Sequence, residues 1–313
     1  MDARMPIAVR PLSIVASLAC LLLIALPAVA APPYKTTNFI VVAPTAELAQ
    51  EIGESAEKWR RELAIEWIGE EMPPWYKPCP IKAKVGPGIG AGGVTTFVFD
   101  RGQVFNWNMS IQGSRERVLD SVLPHEITHT IFACYFRQPL PRWADEGACT
   151  TVEHPSEIAK QEELLIRFLK TGKGIAFRDM FAMKEYPSDV LPLYAQGHSL
   201  TRYLIGQRDK AHFLKFLADG MEDENWPRAV RTHYGHESLY ALQNDWLEWV
   251  KQGRPVLAGE LQPVPRRGTV VQVSGSAPVA PQAAAATTTA ASPTRPDEHE
   301  SAYSQSKQRV IRR

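Results

Sequence analysis

Apolar residues at Leu48, Ile52, Ala56, Trp59, Leu63 and Trp67 recur at helical spacing behind Thr45, whose hydroxyl suits a cap. They predict one amphipathic helix over 45–69. Short β-branched or alternating runs surround it. NFIVVAPT (38–45) and IKAKVG (81–86) read as strands, and VTTFVFD (94–100) and QVFNWNMSIQG (103–113) as two more, joined by a tight Arg101-Gly102 turn. The glycine-rich GPGIGAGG (86–93) between them breaks all periodicity. It lacks the following Lys-Ser pair and helix that a phosphate-cradling loop needs, so it reads as a linker.

From Ser114 the period changes. SRERVLDSVLPHEITHTIFACYF (114–136) carries Ser114 as a cap and Glu116 in its first turn, with Pro124 ten residues on to bend the helix. Further helical stripes cover 142–153, 156–171, 192–206, 209–220 and 236–251. Strands with one helix come first and helices follow, which is an α+β order. No repeat is visible.

The two ends differ from this middle. Arg4 and Arg10 precede a long apolar run closed by Pro27 and Ala28-Val29-Ala30, the pattern of a secretory signal peptide cleaved after Ala30. An uncleaved membrane anchor is the competing reading, because the run is almost long enough to span a bilayer. Residues 255–296 are dominated by Pro, Ala, Thr, Ser and Val without any stripe, so 254–313 is expected to be a disordered tail. The organisation expected is therefore a signal peptide over 1–30, one domain over 31–253, and the tail. A secreted, periplasmic or envelope location follows, possible envelope association included.

Net charge is +1 for the whole chain and zero once the first thirty residues are removed. No basic excess points to a nucleic acid partner. Export implies an oxidising compartment. Cys79, Cys134 and Cys149 then allow one disulfide and one free thiol, or simply three small buried residues. Oligomeric state is not legible.

The chemistry concentrates in VLPHEITHTIF. On a helix, His125 and His129 lie one turn apart on the same face and can present imidazole nitrogens to one zinc ion (Zn2+). Glu126 stands beside them, where it can take a proton from a metal-bound water. Two imidazoles and a carboxylate among Val122, Leu123, Ile127, Ile131 and Phe132 need partners to be tolerated. Glu146, seventeen residues past His129 on a second helix after a short loop, offers a third ligand that leaves the fourth position open. Gly147 lets that helix pack closely. Thr150 and Glu153 fall near the face of Glu146, where either could fix an imidazole tautomer, and Asp145 flanks it. The other histidines (His154, His212, His233, His236) lack ligand spacing and read as surface or capping residues. The sequon Asn108-Met109-Ser110 falls inside a predicted strand.

H-E-x-x-H followed by W-x-x-E-G resembles the gluzincin metallopeptidases, and WADEGACTTVE resembles their aminopeptidase branch and the smaller "peptidase MA-like" proteins. The resemblance covers about 38–252 and is specific between 121 and 204. It implies a zincin-like fold, a small mixed β-sheet over an active-site helix followed by a helical lobe. It also implies His125, His129 and Glu146 as zinc ligands and Glu126 as general base. LYAQGHSLTRYL (193–204) is similar to the tyrosine segment of the same branch, which makes Tyr194 the oxyanion donor. His198, one turn on, is the alternative, since some gluzincins use histidine there. The chain departs from that branch in one respect. GPGIGAGG has no acidic residue to hold a substrate's free amine, so internal and terminal cleavage are equally open.

The function expected is a zinc-dependent peptidase acting on a peptide or protein substrate, with extended peptide pairing to a sheet edge within 94–100. Two alternatives stand beside it. One is a zinc amidohydrolase acting on a non-peptide envelope amide. The other is a non-catalytic envelope binding protein stapled by zinc.

Overall fold

The computed structural model describes residues 32–258 together with the backbone of Val310–Arg312. The expected signal peptide and nearly all of the expected tail lie outside the described residues. Among the described residues, no helix is long and apolar enough to cross a membrane.

A six-stranded mixed sheet runs in the order β1 (Tyr34–Lys35), β2 (Phe39–Val42), β3 (Cys79–Val85), β5 (Gln103–Gly113), β4 (Gly92–Asp100), β6 (Val310–Arg312). β2, β3 and β5 are mutually parallel, whereas β4 and β5 form an antiparallel hairpin. Its turn is Arg101-Gly102, and both residues take positive φ (47° and 72°), as a tight two-residue hairpin connection demands. β6 lies parallel to β4 on its outer side.

One face of the sheet is closed by helices. α1 (Ala46–Ile68) starts at Thr45, whose hydroxyl accepts from Leu48 N, and ends at Gly69 in the left-handed region. It buries Ile52, Ala56, Leu63 and Trp67. Trp67 meets Phe132 edge to face at 4.9 Å, which ties α1 to the helix that carries the histidines.

That helix is not one regular rod. Ser114 caps a single turn, α2 (Arg115–Arg117), and a π-helical segment follows over Val118–Val122 before α3 (Leu123–Phe136). The cause is Pro124. Having no N–H, it cannot continue the ladder, and the preceding Leu123 N–H reaches back five residues to Val118 O. In that wide register Pro124 would have served Leu119 O, so this carbonyl is orphaned. The indole of Trp59, from α1, donates to it at 2.9 Å. The expected bend is thus a wide turn sealed by a tryptophan.

The helical part follows as α4 (Arg142–Thr150), α5 (Pro155–Lys170), α6 (Phe177–Ala182), α7 (Leu191–Gln207), α8 (Lys210–Asp223), α9 (Trp226–Tyr234) and α10 (Leu239–Lys251). Strands first and helices after is the α+β arrangement that the periodicity predicts. α4 and α7 meet backbone to backbone: a methyl on Gly147 would come within 2.4 Å of Gly197 O, and one on Gly197 within 2.5 Å of Trp143 O. Glycine at both positions is therefore a packing requirement.

Candidate metal centre

His125 and His129 project from one face of α3, with ring centroids 4.9 Å apart, and both are buried. Burial by itself would strand four ring nitrogens, so their partners decide what the pair can do. Each Nδ1 meets a carboxylate. His125 Nδ1 donates to Glu153 Oε1 at 2.7 Å, and His129 Nδ1 donates to Asp145 Oδ1 at 2.8 Å. A carboxylate only accepts, so both Nδ1 atoms carry protons and the lone pairs of the neutral rings sit on Nε2.

The Nε2 atoms converge on one oxygen. Glu146 Oε2 lies 3.3 Å from His125 Nε2 and 3.8 Å from His129 Nε2. Neither His129 Nε2 nor Glu146 Oε2 makes a hydrogen bond, although both atoms are fully buried. Tetrahedral zinc with bonds of 2.0–2.1 Å separates its donors by about 3.3 Å; the His125 nitrogen stands at that distance from Glu146 Oε2 and the His129 nitrogen stands farther. Without a cation the carboxylates do the holding instead. Burial pushes the His125 imidazole down, but Glu146 and Glu153 outweigh it and hold the ring well above its usual range. For His129 burial is likewise overcome, by Asp145 and then Glu146.

The described residues also include a second donor grouping: buried His125, His129 and Cys149 have ligand atoms within 4.8 Å of one another and could hold a metal ion. Cys149 Sγ, however, stands 3.2 Å from His129 Nδ1, the atom already bonded to Asp145. Burial, followed by Asp145 and Glu146, pushes the thiol well above its ordinary pKa. Cys79, Cys134 and Cys149 are free thiols, Cys79 and Cys149 buried and Cys134 partly so.

Glu126 is positioned from the sheet. Thr95 Oγ1 on β4 donates to Glu126 Oε2 at 2.6 Å. Two residues earlier on the same face, a methyl at Gly93 would lie 2.4 Å from Glu126 Oε1, so only glycine leaves room for the carboxylate. Burial raises the Glu126 carboxyl above its usual value, partly opposed by His129, His125 and the Thr95 hydroxyl. That is the direction a general base working near neutrality needs.

The α7 residues divide. Tyr194 is buried, and its ring lies 6.4 Å from that of Tyr186, whose hydroxyl donates to Glu146 Oε1. Tyr194 is therefore one ring away from the third carboxylate. His198 is buried at the α4–α7 contact against the Gly147 backbone, and burial followed by Arg202 pushes it down to about 4. Thr150 Oγ1 donates to Glu146 O within its own helix, so of the three polar residues singled out around Glu146 it is Asp145 and Glu153 that reach an imidazole. His154 caps α5, its Nδ1 accepting from Ser156 N.

The sequence reading missed Gly93, Thr95 and Tyr186. Thr95 left a signal, being the polar member of an otherwise apolar inward row with Phe97 and Phe99. Tyr186 left none, since it sits in the aperiodic MKEYPSDV loop. Beside the centre, Phe97 and Phe99 of β4, His129 and Ala133 of α3, Leu140 and Asp145 line a small cleft.

Comparison of the chain with protein-family models, with curated proteins and with solved structures finds no match.

Proposed function

We propose that this chain is a zinc-dependent peptidase of the gluzincin type with a zincin-like fold, exported by its N-terminal segment. The observation that carries the reading is the convergence of His125 Nε2, His129 Nε2 and Glu146 Oε2 next to a buried carboxylate, Glu126, seated on a strand near the sheet edge. His125, His129 and Glu146 would hold the zinc, which would supply Lewis-acid chemistry toward a carbonyl and toward water. Glu153 and Asp145 fix the tautomer of each histidine, and the Tyr186 hydroxyl fixes the carboxylate of Glu146. Glu126 takes the proton of the attacking water and returns it to the leaving nitrogen. Thr95 keeps the Glu126 carboxylate turned toward the substrate side. The Tyr194 hydroxyl is the donor for the developing oxyanion, as its family counterpart would be. His198, buried against Gly147, is the weaker candidate for that task. With β6 displaced, β4 would offer an extended backbone to an extended peptide, which favours a peptide bond over another amide as the target.

A metal that only staples α3 to α4 is the second reading, favoured by Cys149 as a further donor within reach of both histidines. Glu126→Gln separates the two. Zinc should remain at one equivalent while hydrolysis of an unfolded protein falls about 10²–10⁴-fold. A wild-type chain that takes up no zinc sinks the site, and a zinc-loaded chain that cleaves no peptide leaves the staple.

A further inference from the structure

The outer side of β4 is not bare. Val310, Ile311 and Arg312 pair with it in parallel, opposite Phe97, Val98 and Phe99. These β4 residues belong to the stretch that borders the centre. Phe97 and Phe99 line the cleft beside His129 and Asp145, and Thr95, two residues earlier, holds Glu126. A strand edge is a row of N–H and C=O groups that any extended chain can complete, and only one chain can occupy a given stretch at a time.

We propose that the chain's own C-terminal segment is the resident occupant of the β4 edge and excludes extended peptides from the cleft beside His129 until it is displaced. The inference rests on the peptidase reading for its consequence, but not for its geometry. About fifty residues connect Arg254–Ala258 with Val310, an extended reach of ~170 Å, several times the breadth of a domain of this size. Tethering gives the segment a permanent concentration advantage over a free peptide, and the advantage ends if the connection is cut. The segment brings two β-branched apolar residues, Val310 and Ile311, which suit a strand, followed by Arg312 and Arg313. Its described residues pair with Phe97, Val98 and Phe99, the stretch that borders the cleft. A peptide entering the full edge has to displace it.

The test uses the full-length chain carrying Val310→Pro together with Ile311→Pro. Two successive residues are replaced because only one of a neighbouring pair turns its N–H toward the partner strand. A Ser304→Pro chain, altered outside the paired residues, is the control. Hydrogen exchange at the amides of Phe97–Phe99 should quicken at least tenfold in the double variant and stay unchanged in the control. A fluorescent copy of residues 304–313, SQSKQRVIRR, is then titrated into each chain in a Glu126→Gln background, so that the probe is not consumed. It should bind the double variant at least tenfold more tightly than the parent. Unchanged exchange overturns the pairing. Faster exchange with unchanged probe affinity overturns the exclusion, leaving the segment a structural cap. Absence of hydrolysis by every chain with Glu126 intact would instead sink the peptidase reading, while the probe titration still decides this one.

Discussion

Among the described residues two histidine pairs meet edge to face, one across a turn of α3 and one between α8 and α9. Ring to ring they are alike: His125 and His129 stand 4.9 Å apart at 74°, His212 and His233 5.3 Å apart at 70°. Both have carboxylates nearby. They differ in where the nitrogens point. In the outer pair His212 Nε2 donates to His233 O at 2.9 Å and His233 Nε2 donates to Asp219 Oδ2 at 3.0 Å, so each ring already spends Nε2 on an acceptor. Asp219 is further held by Arg228. In the inner pair carboxylates take Nδ1 instead, which turns Nε2 of both rings toward the single oxygen of Glu146. Histidines in contact beside acids are thus no sign of a metal site. What sets the inner pair apart is that both of its Nε2 atoms face one shared oxygen.

The comparison breaks most visibly on the ligands themselves. His129→Ala should abolish zinc uptake, and His233→Ala should leave it at one equivalent, as read by plasma mass spectrometry after equilibration with zinc. If both variants keep their zinc, the inner pair is not the site. Next in size are the acids on Nδ1. Asp145→Asn and Glu153→Gln should each weaken zinc binding about 10–100-fold in competition with a chromogenic chelator, and Asp219→Asn should not shift it.

A smaller effect tests how the inner pair is mounted. Trp59→Phe leaves Leu119 O without its donor and should lower unfolding free energy by about 1–3 kcal/mol in urea titrations. A midpoint equal to the parent would mean that the wide turn finds another donor. The smallest effect belongs to the outer pair. Asp219→Asn should cost under about 1 kcal/mol, because the cluster faces solvent. The Arg228 hydrogen bond, then His233, holds the Asp219 carboxyl below its ordinary value. Its contribution is therefore present above pH ~4 and lost as pH falls through the lowered value. Melting temperatures of parent and variant should differ at pH 7 and converge toward pH 2.

Much of this was legible in the residues, for identifiable reasons. Strong periodicity located α1, the β4–β5 hairpin and the long helices to within a few positions, because each buries one face. α6 and α9 escaped. Phe177–Ala182 is too short to display a period, and Trp226–Tyr234 turns only Trp226, Ala229, Val230 and Tyr234 inward. Glu146 was legible through the W-x-x-E-G resemblance, and His125, Glu126 and His129 because helical geometry fixes spacing. Glu153 could be placed as an imidazole partner on the same ground. Tyr186 and Gly93 could not, since their roles depend on which loop and which strand fold back onto α3. The same limit hid β6, whose partner lies two hundred residues upstream.

The wide turn at Val118–Val122 has a consequence for how this chain can vary. It stores one residue more than a regular helix needs, and one helical residue corresponds to about 100° of rotation. Removing a single residue upstream of Leu123 could be met there by tightening the turn to ordinary helix, without swinging His125 and His129 away from Glu146. The segment is a buffer for chain length. It separates the phase of the donors from the exact length of the strand that feeds them.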